Sequence, residues 1–290
     1  MAQRISARQW TLAFVILALG ASHLGYRFFV AHRLEQTAGL FIGLPMIIGV
    51  LLALTPRAKS VTGMICKTMT IALVMSGLVL GEGFICILMA APLFYLVGII
   101  IGLISDAARR QDRRRAGVLA LLPLGISSRL SFDREETVTV VRAVTAPAEA
   151  VESAIAATPR FDRPLPPYLR LRFPVPVEAA GAGLETGALR GIHFAGGEGK
   201  PGDLVLRVGE KRPGAVTFTS VSDTSHIAHW LQWRSAEVSW RPIDGGSTEV
   251  RWTLRYRRLL DPAWYFGPWE RYAVRLAAGY LIDTVATPGG

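Results

Sequence analysis

Apolar residues dominate the first hundred positions in four long runs, and from about Phe132 the pattern changes to short alternating stretches broken by glycine and proline. The runs are roughly Trp10 to Val30, Ala38 to Leu54, Val61 to Leu80 and Phe84 to Ile104. Each approaches the roughly 20 residues that a helix needs to cross a hydrocarbon core about 30 Å thick. The pattern therefore predicts an all-α bundle of four transmembrane spans. Arg4 and Arg8 precede the first run as they would in a signal peptide. That run is long, however, ends in "GYRFFVAHR" instead of a small-residue cleavage site, and is followed by three more, so it reads as a retained span. A further stretch, "AGVLALLPLGISSRL", is too short to cross and contains Pro123, which predicts an interfacial segment or linker.

The second half reads as α+β. "TVTVVRAV", residues 137 to 144, is rich in β-branched residues and predicts a strand. Ala146-Pro147 then opens a short helix, with Glu149 and Glu152 at its positive end. The proline-rich "TPRFDRPLPPYLRLRFPVPVE" is too broken for a regular helix. "LRGIHFAGG", "DLVLRVGEKRPG" and "AVTFTSVSD" follow as candidate strands between glycine turns. The clearest hairpin is "SAEVSWRPIDGGSTEVRWTLRYRR", turning at Asp244-Gly245-Gly246. Its period-two alternation puts Val238, Trp240, Val250, Trp252, Leu254 and Tyr256 on one face, with Glu237, Arg241, Glu249, Arg251, Arg255 and Arg257 on the other. A long terminal helix starting at Pro268 carries Trp269, Ala273, Leu276, Ala277, Tyr280, Leu281 and Thr284 on one stripe, suited to the apolar side of the sheet.

Composition and charge sharpen this division. The 290 residues are 51% hydrophobic and 19% charged, a balance unusual for a chain without a membrane portion. The net charge of +10 is unevenly placed: residues 1 to 115 hold 12 Lys/Arg against 4 Asp/Glu, and the remainder 20 against 18. A nucleic-acid-binding protein would concentrate basic charge on its folded soluble part, so nucleic acid is excluded as a partner. The basic residues instead mark alternate boundaries of the apolar runs. Arg4 and Arg8 precede the first, Arg57 and Lys59 separate the second and third, and Arg109, Arg110, Arg113, Arg114 and Arg115 follow the fourth. Short loops rich in Lys and Arg stay cytoplasmic, which predicts a multi-pass inner-membrane protein with both termini in the cytoplasm. The arginine cluster holds the last span at the anionic inner leaflet. Three regions result: 1–106 transmembrane, 107–131 basic juxtamembrane and interfacial linker, and 132–290 the α+β domain.

Polar features within the spans carry less. His23 and Arg27 share a helix face, with Arg27 close enough to the end to snorkel, and Glu82 sits in a Gly-Glu-Gly turn. "GLFIG", "GLVLG" and "GIIIG" match the small-xxx-small spacing of close helix packing or homo-oligomerisation. Cys66 and Cys86 are the two cysteines, and the sequence has no zinc-site spacing.

Strand, short helix, a run of antiparallel strands and a long terminal helix is the order of the helix-grip fold. On "VVRAVTAPAEAVESAI", "GIHFAGG" and "LDPAWYFGPWERYAVRLAAGYLIDTV" the chain resembles the START-like superfamily, also called SRPBCC, and within it the polyketide cyclase/dehydrase-type bacterial proteins, over about residues 132 to 287. The first half is similar to four-span bacterial membrane regions that precede such a domain. The resemblance implies an antiparallel sheet wrapped on the long C-terminal helix, enclosing a cavity for a hydrophobic, lipid-like or polyketide-like molecule. Phe218, Trp240, Trp252, Tyr256, Leu276 and Tyr280 are then candidates for its lining, with Trp240, Trp252 and Tyr256 equally readable as plain core, and His193 as an orienting polar group. His226, His229 and Asp223, with Glu185, are the candidate acids and bases if the protein is an enzyme of cyclase, dehydrase or lipid-modifying type. On a strand, His226 and His229 would point to opposite faces, which argues against a shared metal. Neither a metal nor another cofactor is expected. No Ser-His-Asp order or phosphate-cradling loop occurs. The leading expectation is a membrane-tethered binding domain, with membrane lipids and a hydrophobic small molecule as partners. A regulatory protein that meets a protein partner through Arg251, Arg255 and Arg257 is the third.

Overall fold

The computed structural model describes residues 6–29, 44–56, 58–79, 84–109, 133–197, 200–243 and 245–289. Arg110, Arg113, Arg114, Arg115, Glu82, Pro123 and Asp244 lie outside them, as do the side chains of His23, Arg27 and Cys86. The chain divides into two compact units, Met1–Arg129 and Leu130–Gly290.

Among the described residues the first unit has four helices, α1 (Ala7–Phe29), α2 (Leu44–Leu54), α3 (Val61–Val79) and α4 (Phe84–Arg109). Among the described residues one helical stretch, Ile87–Arg109, is long and apolar enough to cross a membrane, with a mean hydropathy of 2.6. Gln9–Ser22 and Val61–Ser76 are shorter apolar helices. The helices pack in sequence, α1 on α2, α2 on α3 and α3 on α4. Polar contacts fix which ends meet. Gln9 Nε2 donates to the Thr55 carbonyl at 2.8 Å, joining the start of α1 to the end of α2. Asp106 near the end of α4 accepts from the backbone N–H of Val61 (2.8 Å) and Thr62 (3.1 Å) and from the Thr62 hydroxyl (2.7 Å). A carboxylate there satisfies the unpaired amides and the positive end of α3. The "GIIIG" glycines face α3 of the same chain: a Cβ on Gly102 would fall 2.5 Å from Thr62 Cα, and one on Gly98 3.0 Å from Met69 Sδ.

The second unit has the order β1 (Glu135–Val144), α5 (Ala148–Ala156), β2 (Val175–Ala180), β3 (Leu189–Ala195), β4 (Gly202–Arg212), β5 (Ala215–Asp223), β6 (Leu231–Ile243), β7 (Ser247–Arg258) and α6 (Ala263–Leu281), which ends in a π-helical turn, Ile282–Ala286. The strands form one antiparallel sheet in the order β1-β7-β6-β5-β4-β3-β2, so the first strand closes against the last. Bulges at Pro176/Glu178, Val205/Leu206, Val208/Lys211 and Trp233/Ser235 bend the strands.

The β6–β7 hairpin has the predicted alternation. Val238, Trp240, Val250, Trp252, Leu254 and Tyr256 are all buried, and the turn places Gly245 at φ +79° and Gly246 at φ +72°, where glycine is favoured. The outer face is tied by ion pairs, Arg241 with Glu249 at 2.9 Å and Arg255 with Glu237 at 3.1 Å.

Two details of α6 differ from the sequence expectation. The helix starts at Ala263 after Pro262, so Pro268 lies inside it. Its buried residues are Gly267, Glu270, Val274, Ala278, Gly279 and Tyr280. Of the predicted stripe Tyr280 and Thr284 are buried and Ala273, Leu276, Ala277 and Leu281 half-buried, whereas Trp269 is 43% exposed. Glu270 turns inward toward the buried Arg258, a position that an apolar stripe cannot register.

Candidate functional site

The inner face of the sheet is used in three ways along its length, and β7 shows all three at period two. Val250 belongs to a solid core with Val151, Val216, Val238 and Trp240, outside the cavity lining, where α5 packs against the sheet. Two residues on, Trp252 and Leu254 border a cavity of about 210 Å³. Beyond it, Tyr256 and Arg258 are again fully buried, with α6 packed on β7.

The cavity has four walls. The sheet contributes Ile192, Phe194, Leu206, Phe218, Trp252 and Leu254. The helix α6 supplies Ala273, Ala277 and Tyr280, where small residues leave room, and Val274 and Leu281 complete that side. Ile227 and Trp230 come from the turn before β6. The fourth wall is the proline-rich segment, which places Phe161, Leu165, Leu169 and Phe173 against the space. Aromatic pairs fasten this segment on both sides. Phe161 stacks on Tyr280 with centroids 6.4 Å apart, Tyr168 meets Tyr272 edge-on at 5.1 Å, and Phe173 meets Trp230 at 5.5 Å. The Tyr280 hydroxyl donates to the Arg163 carbonyl at 3.1 Å.

The lining is almost wholly apolar. Among the described residues its one charged member, Arg190, is 6% exposed and already engaged. Nη1 donates to the carbonyls of Ala156 (3.2 Å) and Gly183 (2.8 Å), and Nη2 to those of Ile155 (3.1 Å) and Ala157 (2.5 Å). The guanidinium thus closes the C-terminal end of α5, where unpaired carbonyls and the negative end of the helix favour a cation. Burial lowers its proton affinity.

The residues singled out from the sequence are dispersed by this geometry. Phe218, Trp252 and Tyr280 line the cavity. Trp240 belongs to the solid core, and Tyr256 is buried beyond the cavity. Leu276 is outside the lining. His193 has the opposite strand parity to Ile192 and Phe194, and its Nδ1 lies 2.6 Å from Asp203 Oδ1 on the neighbouring strand. Asp223 is also outside the lining and caps the following turn, accepting from the Ser225 N–H (2.9 Å) and hydroxyl (2.6 Å). Burial raises its proton affinity, partly offset by those two bonds.

One expectation is corrected. His226 and His229 do not point to opposite faces, because they lie on a single 3₁₀ turn, His226–His229, where residues three apart stack. Their rings are 4.9 Å apart. Among the described residues no three His, Cys, Asp or Glu side chains converge as a metal site. The proline-rich wall was absent from the sequence-derived candidates. Its signal is the spacing of Phe161, Leu165, Leu169 and Phe173 at intervals of four within a segment that proline keeps out of the sheet.

No family model matches the chain, and no curated protein does. Solved structures similar to it include a START superfamily protein from Mycobacterium smegmatis (14% identity, 51% of this chain and 92% of that one, TM-score 0.35). A Streptomyces aromatase/cyclase is similar at 12% identity, over 51% and 96% of the two chains, with a TM-score of 0.31. Norcoclaurine synthase from Thalictrum flavum is similar at 13% identity, over 51% and 85%, with a TM-score of 0.35. With seven antiparallel strands in the order β1-β7-β6-β5-β4-β3-β2, curled against a long C-terminal helix, the second unit has the helix-grip fold.

Proposed function

We propose that this protein is a membrane-tethered binding protein for an uncharged, hydrophobic small molecule of lipid-like or polyketide-like character. The observation that carries this reading is the cavity between the sheet, α6 and the proline-rich segment. At about 210 Å³ it exceeds the ~150 Å³ apolar cavities that stay dry and take up benzene. Water gains little from such a lining, and an apolar guest gains roughly 25 cal/mol for each Å² of surface removed from water. The lining also selects against charge. A carboxylate entering the space would be desolvated without a free cation, because Arg190 is occupied by four carbonyls.

The tether rests on the first unit. Ile87–Arg109 has the length and hydropathy of a span. Large apolar side chains face outward on the other helices too, among them Phe14 (71% exposed) and Leu51 (60%). Outward-facing apolar surface of this kind suits a lipid environment, and four spans with both termini in the cytoplasm account for it.

The test uses the second unit alone, which has its own core. Residues 130–290 purified without detergent should carry a stoichiometric uncharged apolar molecule, detected by native mass spectrometry and identified after organic extraction. A domain that emerges empty and gains no stability from any neutral lipid or polyketide overturns the reading.

A further inference from the structure

The proline-rich segment has an outer surface as distinctive as its inner one. Phe161, Leu165, Leu169 and Phe173 turn toward the cavity, whereas Arg163, Arg170 and Leu171 are exposed. Across the Tyr168–Tyr272 contact, α6 continues with Trp269 (43% exposed), Tyr272 (49%) and the exposed Arg275. Cationic charge is in excess here: exposed Arg163, Arg170 and Arg275 stand with one exposed carboxylate, Asp162, among the described residues. Among those residues these three arginines form no ion pair, whereas Arg234, Arg241 and Arg255 on the sheet are paired with Glu135, Glu249 and Glu237 at 3.2, 2.9 and 3.1 Å, although Arg207 and Arg257 there are not paired.

We infer that this face, formed by residues 163–172 and the Trp269–Arg275 stretch of α6, docks on the anionic phospholipid headgroups of a bilayer and opens the cavity toward it. Arginine is drawn to an anionic leaflet, Trp and Tyr settle at headgroup depth, and a protruding leucine between two arginines enters the acyl boundary. The surface that lipid would cover is the outside of the cavity wall, so an apolar guest could pass between bilayer and cavity without crossing water. The inference rests on the proposed binding function and adds where the ligand is exchanged.

Hydrogen–deuterium exchange on the full chain tests it, in nanodiscs of phosphatidylcholine alone and of phosphatidylcholine mixed with phosphatidylglycerol. Peptides spanning 163–172 and 269–275 should exchange more slowly in the anionic discs. That protection should fade in about 1 M salt, where the screening length shrinks to roughly 3 Å. Each arginine at an anionic surface contributes roughly a fivefold change in partitioning, so the combined R163Q, R170Q and R275Q variant should lower the docking equilibrium constant about a hundredfold. Equal exchange in both discs, or anionic protection confined to the outer face of β6 and β7, overturns the inference. The same triple variant of residues 130–290 should still hold its apolar guest, which separates docking from binding. An emptied cavity would show that these arginines maintain the cavity itself, and would overturn the assignment as well.

Discussion

The Nε atom of Arg258 on β7 lies 4.0 Å from the carboxylate of Glu270 on α6, and both side chains are almost completely shielded from water. Arg258 Nη1 also donates to the Leu260 carbonyl at 2.6 Å and to Asp261 Oδ1 at 3.3 Å, anchoring the chain reversal that leads into the helix. Burial is the largest influence on Glu270 and raises its pKa from 4.5 to about 7, against the opposing pull of Arg258 and with a further push from Glu136. The folded state therefore binds this proton more tightly than the unfolded chain does. The contribution to stability is full below pH 4.5, declines as pH rises toward 7 and levels off above it. Over that interval the change is roughly 3 kcal/mol. Urea denaturation of residues 130–290 across this range should show the decline, and Glu270→Gln should flatten it. An unchanged slope in the variant would assign the pH dependence elsewhere.

Arg190 supports a second prediction. Four carbonyls from Ile155, Ala156, Ala157 and Gly183 converge on one planar guanidinium. An ammonium cannot reach them from the same position, so Arg190→Lys should behave as a disruptive substitution. Leaving buried carbonyls unpaired should cost roughly 2 to 4 kcal/mol in chemical denaturation. A loss well below 1 kcal/mol would mean that the end of α5 does not depend on this cap.

The contrast between Trp240 and Trp252 shows how far the sequence could be read. Period-two alternation places both on the inner face, and both are about 5% exposed. Alternation says nothing about which stretch of that face is filled by α5 and which is left open, because that depends on a helix distant in sequence. The hairpin and the terminal helix are legible from local patterns. The cavity's outer wall is not: its residues adopt no regular strand or helix and are held by long-range pairs such as Phe161 with Tyr280. His226 and His229 depart from strand alternation for a local reason, since a 3₁₀ turn of four residues lies between β5 and β6. In the first unit, the bonds of Asp106 to the start of α3 depend on how α4 folds back, which no local pattern shows.

Filling the cavity should abolish binding and spare the fold. Ala277 on α6 faces empty space in the wall, so Ala277→Phe places a ring where a guest would lie. Inserting bulk into a packed core typically costs about 1 to 3 kcal/mol, and into a cavity of this size it should cost less than about 1 kcal/mol. The expected outcome is loss of the co-purified molecule with an unchanged circular dichroism spectrum. Retention of the guest at full stoichiometry would place the ligand elsewhere.

The contact between α3 and α4 depends on the absence of side chain at Gly102, where a Cβ would approach Thr62 Cα to 2.5 Å. Because the obstructing atom is backbone, rotamer changes cannot relieve it. Gly102→Val should therefore separate the helices and weaken the Asp106 bonds to Val61 and Thr62, lowering the thermal stability of the detergent-solubilised full chain by several degrees, about 2 to 4 °C for each kcal/mol lost. Gly102→Val with unaltered stability would show that this helix pair does not pack through its glycine.

On the proposed four-span arrangement, orientation follows from which helix ends the polar contacts bring together. Gln9 at the start of α1 and Lys67 on α3 both donate to the Thr55 carbonyl after α2, at 2.8 and 2.9 Å, and Asp106 near the end of α4 caps α3. The start of α1, the end of α2, the start of α3 and the end of α4 thus share one end of the bundle. Lys59 and Arg109 flank that same end, and Arg4, Arg8 and the cluster from Arg110 to Arg115 adjoin it in sequence. Positive charge near helix ends is retained on the cytoplasmic side, so every basic boundary favours the same orientation. A fluorescent protein fused after Gly290 should fluoresce in living cells, and an alkaline phosphatase fused there should be inactive. The reverse pair of results would put the cavity on the far side of the membrane, away from the leaflet whose negative charge the arginines of its outer wall are suited to meet.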